Sequence, residues 1–196
     1  MNLPEPTFIR DFLDGATCRE VRIAMNRGLV ETAEILESGI VLDEEARRAT
    51  SIDVDACTLA AVEQRLDAIR DELSARCGIP LYGREGAGFI RYSDGGFYGP
   101  HRDRGDDDEW PAAAERRIAV VVFLNSARDD LQRGDFVGGE LMIYPGAPSD
   151  RGDAPLRVLP LAGMLVAFDA ARLHEVRPVV QGIRDVVVDW FYGPEA

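Results

Sequence analysis

The sequence predicts an α+β protein in which N-terminal helices pack on one sheet of a double-sheet jelly roll (double-stranded β-helix). Before about residue 84, apolar residues recur with a helical period. After residue 85 the chain changes to short runs rich in Val, Ile, Phe and Tyr, separated by Gly, Pro, Asp and Asn. A chain of 196 residues fits one domain. We divide it into a helical support region, 1–84, and a jelly-roll core, 85–196.

Two helices are predicted in the support region. The segment Thr17–Glu20 resembles a capping box, which indicates a helix that runs to about Gly28. A clearer helix covers about residues 58–77 and ends at Gly78. Four apolar residues fall on one face of this second helix, at a 3.6-residue period. They are Val62, Leu66, Ile69 and Leu73.

Eight candidate strands follow in the core region. They are Gly88–Tyr92, Phe97–Asp103, Arg117–Leu124, Glu140–Tyr144, Leu156–Leu159, Met164–Phe168, His174–Val179 and Asp185–Tyr192. Eight short strands in one domain are typical of a jelly roll built from two sheets. Helices that precede such a core are expected to pack on the outside of one sheet.

The composition favours a cytoplasmic protein that binds neither nucleic acid nor membrane. The chain has 35 acidic residues against 22 Lys and Arg, a net charge of -13, and such a surface repels phosphate backbones and anionic lipid. A cationic partner is compatible with this charge. No run approaches the length of a membrane span, and the first residues lack a basic segment followed by an apolar one. The three cysteines are an odd number without a CxxC pair, which indicates free thiols.

The two histidines of the chain, His101 and His174, are the first candidates for chemistry. Asp103 follows His101 by two residues in a predicted strand, so the imidazole and the carboxylate are expected on the same face. Two histidines and one carboxylate that leave further coordination positions open suit Fe(II). A His-x-Asp pair alone is weak evidence, because it occurs by chance in many sequences.

Arg184 adds a stronger signal. Strict alternation places it on the same strand face as Val186, Val188 and Trp190. An arginine on an apolar, buried face needs an anion, because burying an unpaired charge is costly. That anion could be a protein carboxylate, such as that of Glu140, or the carboxylate of a ligand. The ten residues after His174 allow a strand, a turn and a return, which would bring Arg184 close to a metal.

These residues together resemble the iron and 2-oxoglutarate dioxygenases, in which a His-x-Asp pair, a distal histidine and an arginine ten residues later occur in this order. The segment Arg91–Asp103 is similar to the prolyl 4-hydroxylase branch, where a tyrosine, a glycine turn and an aromatic residue lead into the metal strand. The matching motifs span residues 88–193. They include Val122–Asn125, Gly138–Leu141, Phe168, His174–Pro178 and Trp190.

The resemblance implies a role for each matching residue. Fe(II) would be held by His101, Asp103 and His174, with 2-oxoglutarate and O2 as co-substrates. Arg184 would bind the distal carboxylate of 2-oxoglutarate, and the Tyr92 hydroxyl would lie near it. The pocket for the substrate would be lined by Tyr98, Leu141 and Trp190.

Two positions call for comment beside this pattern. Members of the branch often have a tyrosine or threonine where this chain has Val122 or a neighbour, so a second polar contact to the distal carboxylate is in doubt. Trp110 lies in the acidic connection 104–114, which is either a solvated loop or a contact for a cationic substrate. We place Trp110 among the candidate pocket residues, because an aromatic residue in an acidic loop needs a core or a ligand to cover it.

The expected reaction is hydroxylation of an unactivated C–H bond. A carboxylate at position 103 favours hydroxylation over halogenation, since halogenases of this class leave that ligand position to chloride. The expected substrate is a prolyl residue of a peptide or protein. The alternatives are a free amino acid or other small metabolite, and a jelly-roll binding module without turnover.

Overall fold

Two antiparallel β-sheets face each other in the computed structural model, which describes residues 5–32, 35–36, 40–41, 46–105, 111–129, 131, 135–145 and 154–194. The helices are α1 (Gly15–Met25), α2 (Ala56–Cys77) and α3 (Pro111–Glu115). The strands are β1 (Thr7–Ile9), β2 (Leu29–Thr32), β3 (Ile35–Leu36), β4 (Ile40–Val41), β5 (Arg47–Arg48), β6 (Thr50–Asp53), β7 (Gly83–Arg84), β8 (Gly88–Tyr92), β9 (Phe97–His101), β10 (Arg116–Phe123), β11 (Phe136–Gly138), β12 (Leu141–Ile143), β13 (Leu156–Val158), β14 (Leu165–Asp169), β15 (His174–Val176), β16 (Val179–Gly182) and β17 (Arg184–Tyr192).

The larger sheet has the strand order β1-β14-β10-β17-β8-β6-β2, and β7 also pairs with β17. The smaller sheet has the order β13-β12-β15-β9-β5. Two further pairs, β11 with β16 and β3 with β4, lie outside these sheets. Apolar side chains of both sheets pack between them in one cluster, which is how two sheets build a shared core. The predicted double-sheet jelly roll with N-terminal helices is confirmed.

Helix α1 begins three residues earlier than the capping box predicted. Asp14 is its N-cap residue, and the Asp14 Oδ1 atom accepts the backbone N–H groups of Ala16 and Thr17, both at 2.8 Å. Thr17 therefore lies inside the first turn. The prediction was wrong because an aspartate was available upstream, and aspartate caps the free N–H groups of a helix at least as well as threonine.

Helix α2 follows the predicted periodicity. Asp55 caps its start, and Gly78 ends it with a φ of 67°, a left-handed conformation that glycine adopts without strain. Val62, Leu66 and Leu73 are buried, and Ile69 packs beside them. This face of α2 joins one apolar cluster with outward residues of the larger sheet, so the helices cover the outer face of that sheet. The sheet residues in that cluster include Ile118, Val120, Val122, Val187 and Phe191.

The N-terminal region also supplies strands that the sequence did not predict. β6 pairs with β8 and carries β2, which extends the larger sheet, whereas β5 pairs with β9 at the edge of the smaller sheet. The segment 47–53 consists mainly of Arg, Thr, Ser and Asp and lacks the aromatic residues that are typical of strands. The division into a 1–84 support region and an 85–196 core remains a prediction.

Four predicted strands are shorter in the structure, and two of these, β12 and β13, lose only terminal residues. The strand predicted for His174–Val179 is interrupted at Pro178, which has no backbone N–H to donate, and Val179 starts β16. β16 pairs with β11, which is not among the predicted strands. The strand predicted for Phe97–Asp103 ends at His101, so Asp103 lies just beyond it. Across the described ranges, no helix combines the length and apolar character needed to cross a membrane.

Candidate active site

Three side chains converge between the sheets in an arrangement that can hold a metal ion. His101 and His174 are direct partners on the neighbouring strands β9 and β15. Asp103 lies between their rings, with Oδ1 at 3.5 Å from the Nε2 atom of His101 and Oδ2 at 3.4 Å from the Nε2 atom of His174. Possible ligand atoms of all three residues lie within 4.8 Å of one another. One metal ion could therefore contact all three.

Backbone carbonyls orient both histidine rings. The Nδ1 atom of His101 lies 2.8 Å from the carbonyl oxygen of Gly99, and that of His174 lies 3.0 Å from the carbonyl oxygen of Arg172. A carbonyl oxygen only accepts, so each Nδ1 carries the proton and donates it. In a neutral ring with this tautomer Nε2 keeps its lone pair, and both Nε2 atoms lie toward Asp103. Metal-ligating histidines commonly use their second nitrogen in this way.

The charge states of Asp103 and His174 also suit a cation. Burial alone would raise the pKa of the Asp103 carboxyl, but His174 and His101 together lower that pKa below the usual range for aspartate. Burial, and next the proximity of His101, lowers the pKa of His174 to about 4. At neutral pH the site therefore presents an anionic carboxylate and a neutral imidazole, the forms that bind metal.

Arg184 lies in the same cavity and is 1% exposed. None of its Nε, Nη1 and Nη2 atoms has a hydrogen-bond partner within the described residues. The guanidinium lies between two aromatic rings, with Cζ at 4.9 Å from the ring centre of Tyr92 and 5.2 Å from that of Phe123. Glu140, the protein carboxylate considered from sequence, instead pairs with Arg157. Burial lowers the pKa of Arg184 to about 10, so the side chain is still cationic at neutral pH.

The remaining walls include most of the residues proposed from sequence. Tyr98 stacks on the His101 ring, with ring centres 3.4 Å apart. Leu141 is buried, and Trp190 lines the cavity from β17. Tyr92 lies beside Arg184, and its contact with the co-substrate remains a prediction. Trp110 falls outside the residues that the structure describes.

Sequence reasoning missed several residues that line the cavity or lie beside it. Arg116, at the start of β10, lines it beside Trp190, and Arg47 on β5 lies over the Tyr98 ring. Phe123 lies against Arg184, whereas Val122 points to the opposite, helix-covered face. The β10 side chain next to the arginine thus lacks a hydroxyl group. Alternation along β10 could have separated Val122 from Phe123, but only the tertiary structure shows which face meets Arg184.

The residues present fit a metal together with a small dianion. The cavity of about 170 Å³ is more than ten times the ~10–15 Å³ that one water molecule needs. At the triad, two imidazoles and one carboxylate form the ligand set that mononuclear Fe(II) oxygenases use. At Arg184, unpaired guanidinium nitrogens offer a planar fork that a carboxylate can accept bidentately.

Comparison with known proteins identifies the family. The family model described as the 2OG-Fe(II) oxygenase superfamily matches residues 87–192, which is more than half of the chain. A PKHD-type hydroxylase of Maricaulis maris is 25% identical over 181 residues, covering 88% of this chain and 73% of the relative. A PKHD-type hydroxylase of Nitrobacter winogradskyi is 30% identical over 104 residues. The match covers 52% of this chain and only 41% of that relative.

Solved structures agree with this assignment. A prolyl-4-hydroxylase of Pseudomonas putida is 26% identical, with a TM-score of 0.67 over 97% of this chain and 93% of that one. A prolyl hydroxylase of Trichoplax adhaerens, solved with a peptide fragment of the hypoxia inducible factor oxygen degradation domain, has a TM-score of 0.73 at 19% identity and covers 96% of this chain and 83% of that one. The second likeness concerns the fold. The chain therefore belongs to the 2OG-Fe(II) oxygenase superfamily and is a dioxygenase that uses Fe(II), 2-oxoglutarate and O2.

Proposed function

We propose that this protein hydroxylates a prolyl residue of a peptide or protein, with Fe(II) held by His101, Asp103 and His174. In this proposal Arg184 binds the distal carboxylate of 2-oxoglutarate. The observation that carries it is the buried Arg184 guanidinium, whose three nitrogens have no hydrogen-bond partner within the described residues, in the cavity that also contains the triad. Such a group is costly unless an anion joins it.

The chain's own residues prepare the metal site. The carbonyls of Gly99 and Arg172 fix both imidazoles with Nε2 directed inward, and Asp103 contributes a negative charge between them. Three protein ligands leave coordination positions for other molecules. When bound, Fe(II) together with 2-oxoglutarate supplies the activation of O2 that inserts an oxygen atom into a C–H bond.

Arg184 sets the orientation of the co-substrate. A carboxylate that reaches it meets a cation enclosed by the Tyr92 and Phe123 rings, where little water competes and charge-assisted hydrogen bonds are strong. With Phe123 in this position, the Tyr92 hydroxyl is the nearby group that can add a second polar contact. The other end of 2-oxoglutarate is then directed toward the triad.

The walls above the triad suit an apolar ring. Tyr98, Leu141 and Trp190 line the cavity with aromatic and aliphatic surface, and aromatic rings pack well on the flat aliphatic face of a proline. The likeness to the Pseudomonas putida prolyl-4-hydroxylase over almost the whole chain supports a prolyl substrate. The peptide in the Trichoplax adhaerens structure supports a peptide rather than a free amino acid.

The first test is an anaerobic titration of the Fe(II)-loaded protein with 2-oxoglutarate, followed by the visible charge-transfer band of the chelated metal. The band is expected to saturate at one equivalent. Arg184→Ala should retain iron and bind 2-oxoglutarate at least tenfold more weakly, because a charge-assisted contact is worth about 1.5–3 kcal/mol. Unchanged co-substrate affinity in this variant would show that Arg184 serves only the fold.

The substrate is tested separately. Proline-containing peptides and free amino acids, L-proline among them, are incubated with enzyme, Fe(II), 2-oxoglutarate and O2, and succinate formation and oxygen incorporation are measured. Oxidation of a peptidyl proline that depends on His174 would support the proposal. Turnover of free amino acids alone would replace the peptide assignment with a small-molecule hydroxylase, and the metal and co-substrate assignments would stand.

A further inference from the structure

Arg116 carries a buried guanidinium that is already paired. It is 5% exposed, and its Nε and Nη2 atoms donate to the two carboxylate oxygens of Glu85 at 2.6 and 2.5 Å. The carboxylate neutralises the charge and fixes the plane of the guanidinium, because a bidentate pair allows little rotation. Arg116 thus differs from Arg184, which lines the same cavity with its donors free.

The third nitrogen of Arg116 reaches the backbone of a triad residue. Its Nη1 atom donates to the carbonyl oxygen of Asp103 at 3.0 Å. On the other side, the Asp103 N–H donates to the carbonyl oxygen of Ala170 at 3.0 Å. Asp103 lies beyond the end of β9, so no sheet ladder holds it. These two bonds take the place of a ladder.

The face of the guanidinium packs on Trp190, which lines the same cavity as Asp103. The Cζ atom of Arg116 lies 4.0 Å from the centre of a Trp190 ring, a close cation–π contact. The Trp190 Nε1 atom is buried and has no hydrogen-bond partner within the described residues, so this contact fixes the guanidinium and not the carboxylate. Arg116 is therefore bonded directly to the backbone of Asp103, and Glu85 and Trp190 fix the position of its guanidinium.

We propose that the Glu85–Arg116 pair is a positioning device for the Asp103 carboxylate, and that it sets how tightly the site retains Fe(II). This inference rests on the assignment of Asp103 as an iron ligand in the proposed function. Arg116 itself does not contact the metal in this proposal. Residues that hydrogen-bond to a metal ligand commonly change metal affinity about 10- to 100-fold when they are replaced.

The test compares Fe(II) retention in Arg116→Lys, Glu85→Gln and Arg117→Lys with that of the unaltered protein. Fe(II) is loaded anaerobically, and its loss to a chromogenic chelator is followed together with the thermal midpoint Tm. Lysine cannot bind Glu85 bidentately and reach the Asp103 carbonyl at the same time. Arg116→Lys is therefore expected to release iron at least tenfold faster, and Glu85→Gln, which keeps the shape of the pair but removes its charge, severalfold faster.

Arg117 is the matched control. It is the next residue, is 4% exposed and also bonds backbone carbonyls, but those of Pro194, Ala114 and Arg116 rather than Asp103. Arg117→Lys should lower Tm and leave iron release within twofold. The inference is overturned if Arg116→Lys and Glu85→Gln release iron like the unaltered protein, or if Arg117→Lys accelerates release equally. Failure of the unaltered protein to bind Fe(II) would instead contradict the proposed function.

Discussion

At Gly139, the addition of one methyl group should weaken binding of 2-oxoglutarate and leave binding of the metal unchanged. Its φ is +66°, and a Cβ atom there would lie 3.0 Å from Arg184 Cδ, 3.0 Å from Phe136 Cε2 and 3.2 Å from Val179 Cγ2. The new methyl group is enclosed on three sides, so the arginine must shift. We expect Gly139→Ala to lose about 1–2 kcal/mol of folding stability from the left-handed backbone. Displacement of Arg184 should weaken 2-oxoglutarate binding roughly tenfold to a hundredfold, since a charge-assisted hydrogen bond is worth about 1.5–3 kcal/mol.

The chain offers a close control for the backbone strain. Gly78 has a φ of +67°, and a Cβ atom built there meets nothing within 4 Å. Gly78→Ala should lower Tm by about 2–8 °C through the same backbone strain that is expected in Gly139→Ala. It should bind 2-oxoglutarate with the affinity of the unaltered protein. Both variants are titrated anaerobically with 2-oxoglutarate after Fe(II) loading, and iron affinity is measured alongside. The reasoning is refuted if Gly139→Ala binds 2-oxoglutarate within twofold of the unaltered protein, or if Gly78→Ala shows the same loss.

Three further outcomes are expected. His174→Ala should abolish stoichiometric iron binding in elemental analysis while the far-ultraviolet circular dichroism is retained; retained iron would exclude His174 as a ligand. Arg84→Met leaves the fully buried Asp189 carboxylate without its cation and should lower the free energy of unfolding by about 3 kcal/mol at neutral pH. Burial already raises the pKa of Asp189, so this loss of stability should shrink as the pH falls and the carboxyl protonates. A loss that grows in acid would contradict the ion-pair explanation. Asp55→Ala should lower Tm by removing the cap of α2, whereas Asp55→Asn should keep the cap. Hydrogen bonds from Thr58 lower the pKa of Asp55, so stability measured by urea unfolding should fall below about pH 4 in the unaltered protein as the carboxylate protonates. The Asn variant should lack this pH dependence.

The fold was predictable where one physical rule dominated the local sequence. Helix α2 has a continuous apolar face, and the buried strands β10 and β17 are dense in Val, Ile and Phe, so periodicity and propensity agree with the tertiary structure. Strands β5 and β6 are short and largely polar, and they depend on neighbours distant in sequence for their hydrogen bonds; β5 lies at the edge of the smaller sheet and β6 between β8 and β2. β-propensity does not identify such strands, because pairing with neighbouring strands, rather than side-chain type, determines their conformation.

The site was predictable to the extent that its residues belong to one strand face. Arg184 and Trp190 were placed together by alternation along β17, and both line the cavity. Asp103 was brought beside the histidines for a reason that the sequence did not show. Its strand ends at His101, and the loop is held by the Ala170 carbonyl and by Arg116. Arg116 follows Asp103 by 13 residues in the sequence. Only the pairing of the strands shows that its side chain reaches the site.

The buried charges of the described chain show why Arg184 differs from a structural arginine. Its neighbour Asp185 points to the opposite face of β17 and is fully compensated, with Arg91 at 2.7 and 3.0 Å and Arg22 at 2.9 Å. Arg116 is matched by Glu85 in the same way. A fold that compensates these charges by side-chain pairs has no physical reason to retain one arginine without a partner, because a buried, unpaired guanidinium lowers stability. In the proposed function the partner is the distal carboxylate of 2-oxoglutarate. Binding of 2-oxoglutarate should then raise Tm, and this rise should be smaller in Arg184→Ala.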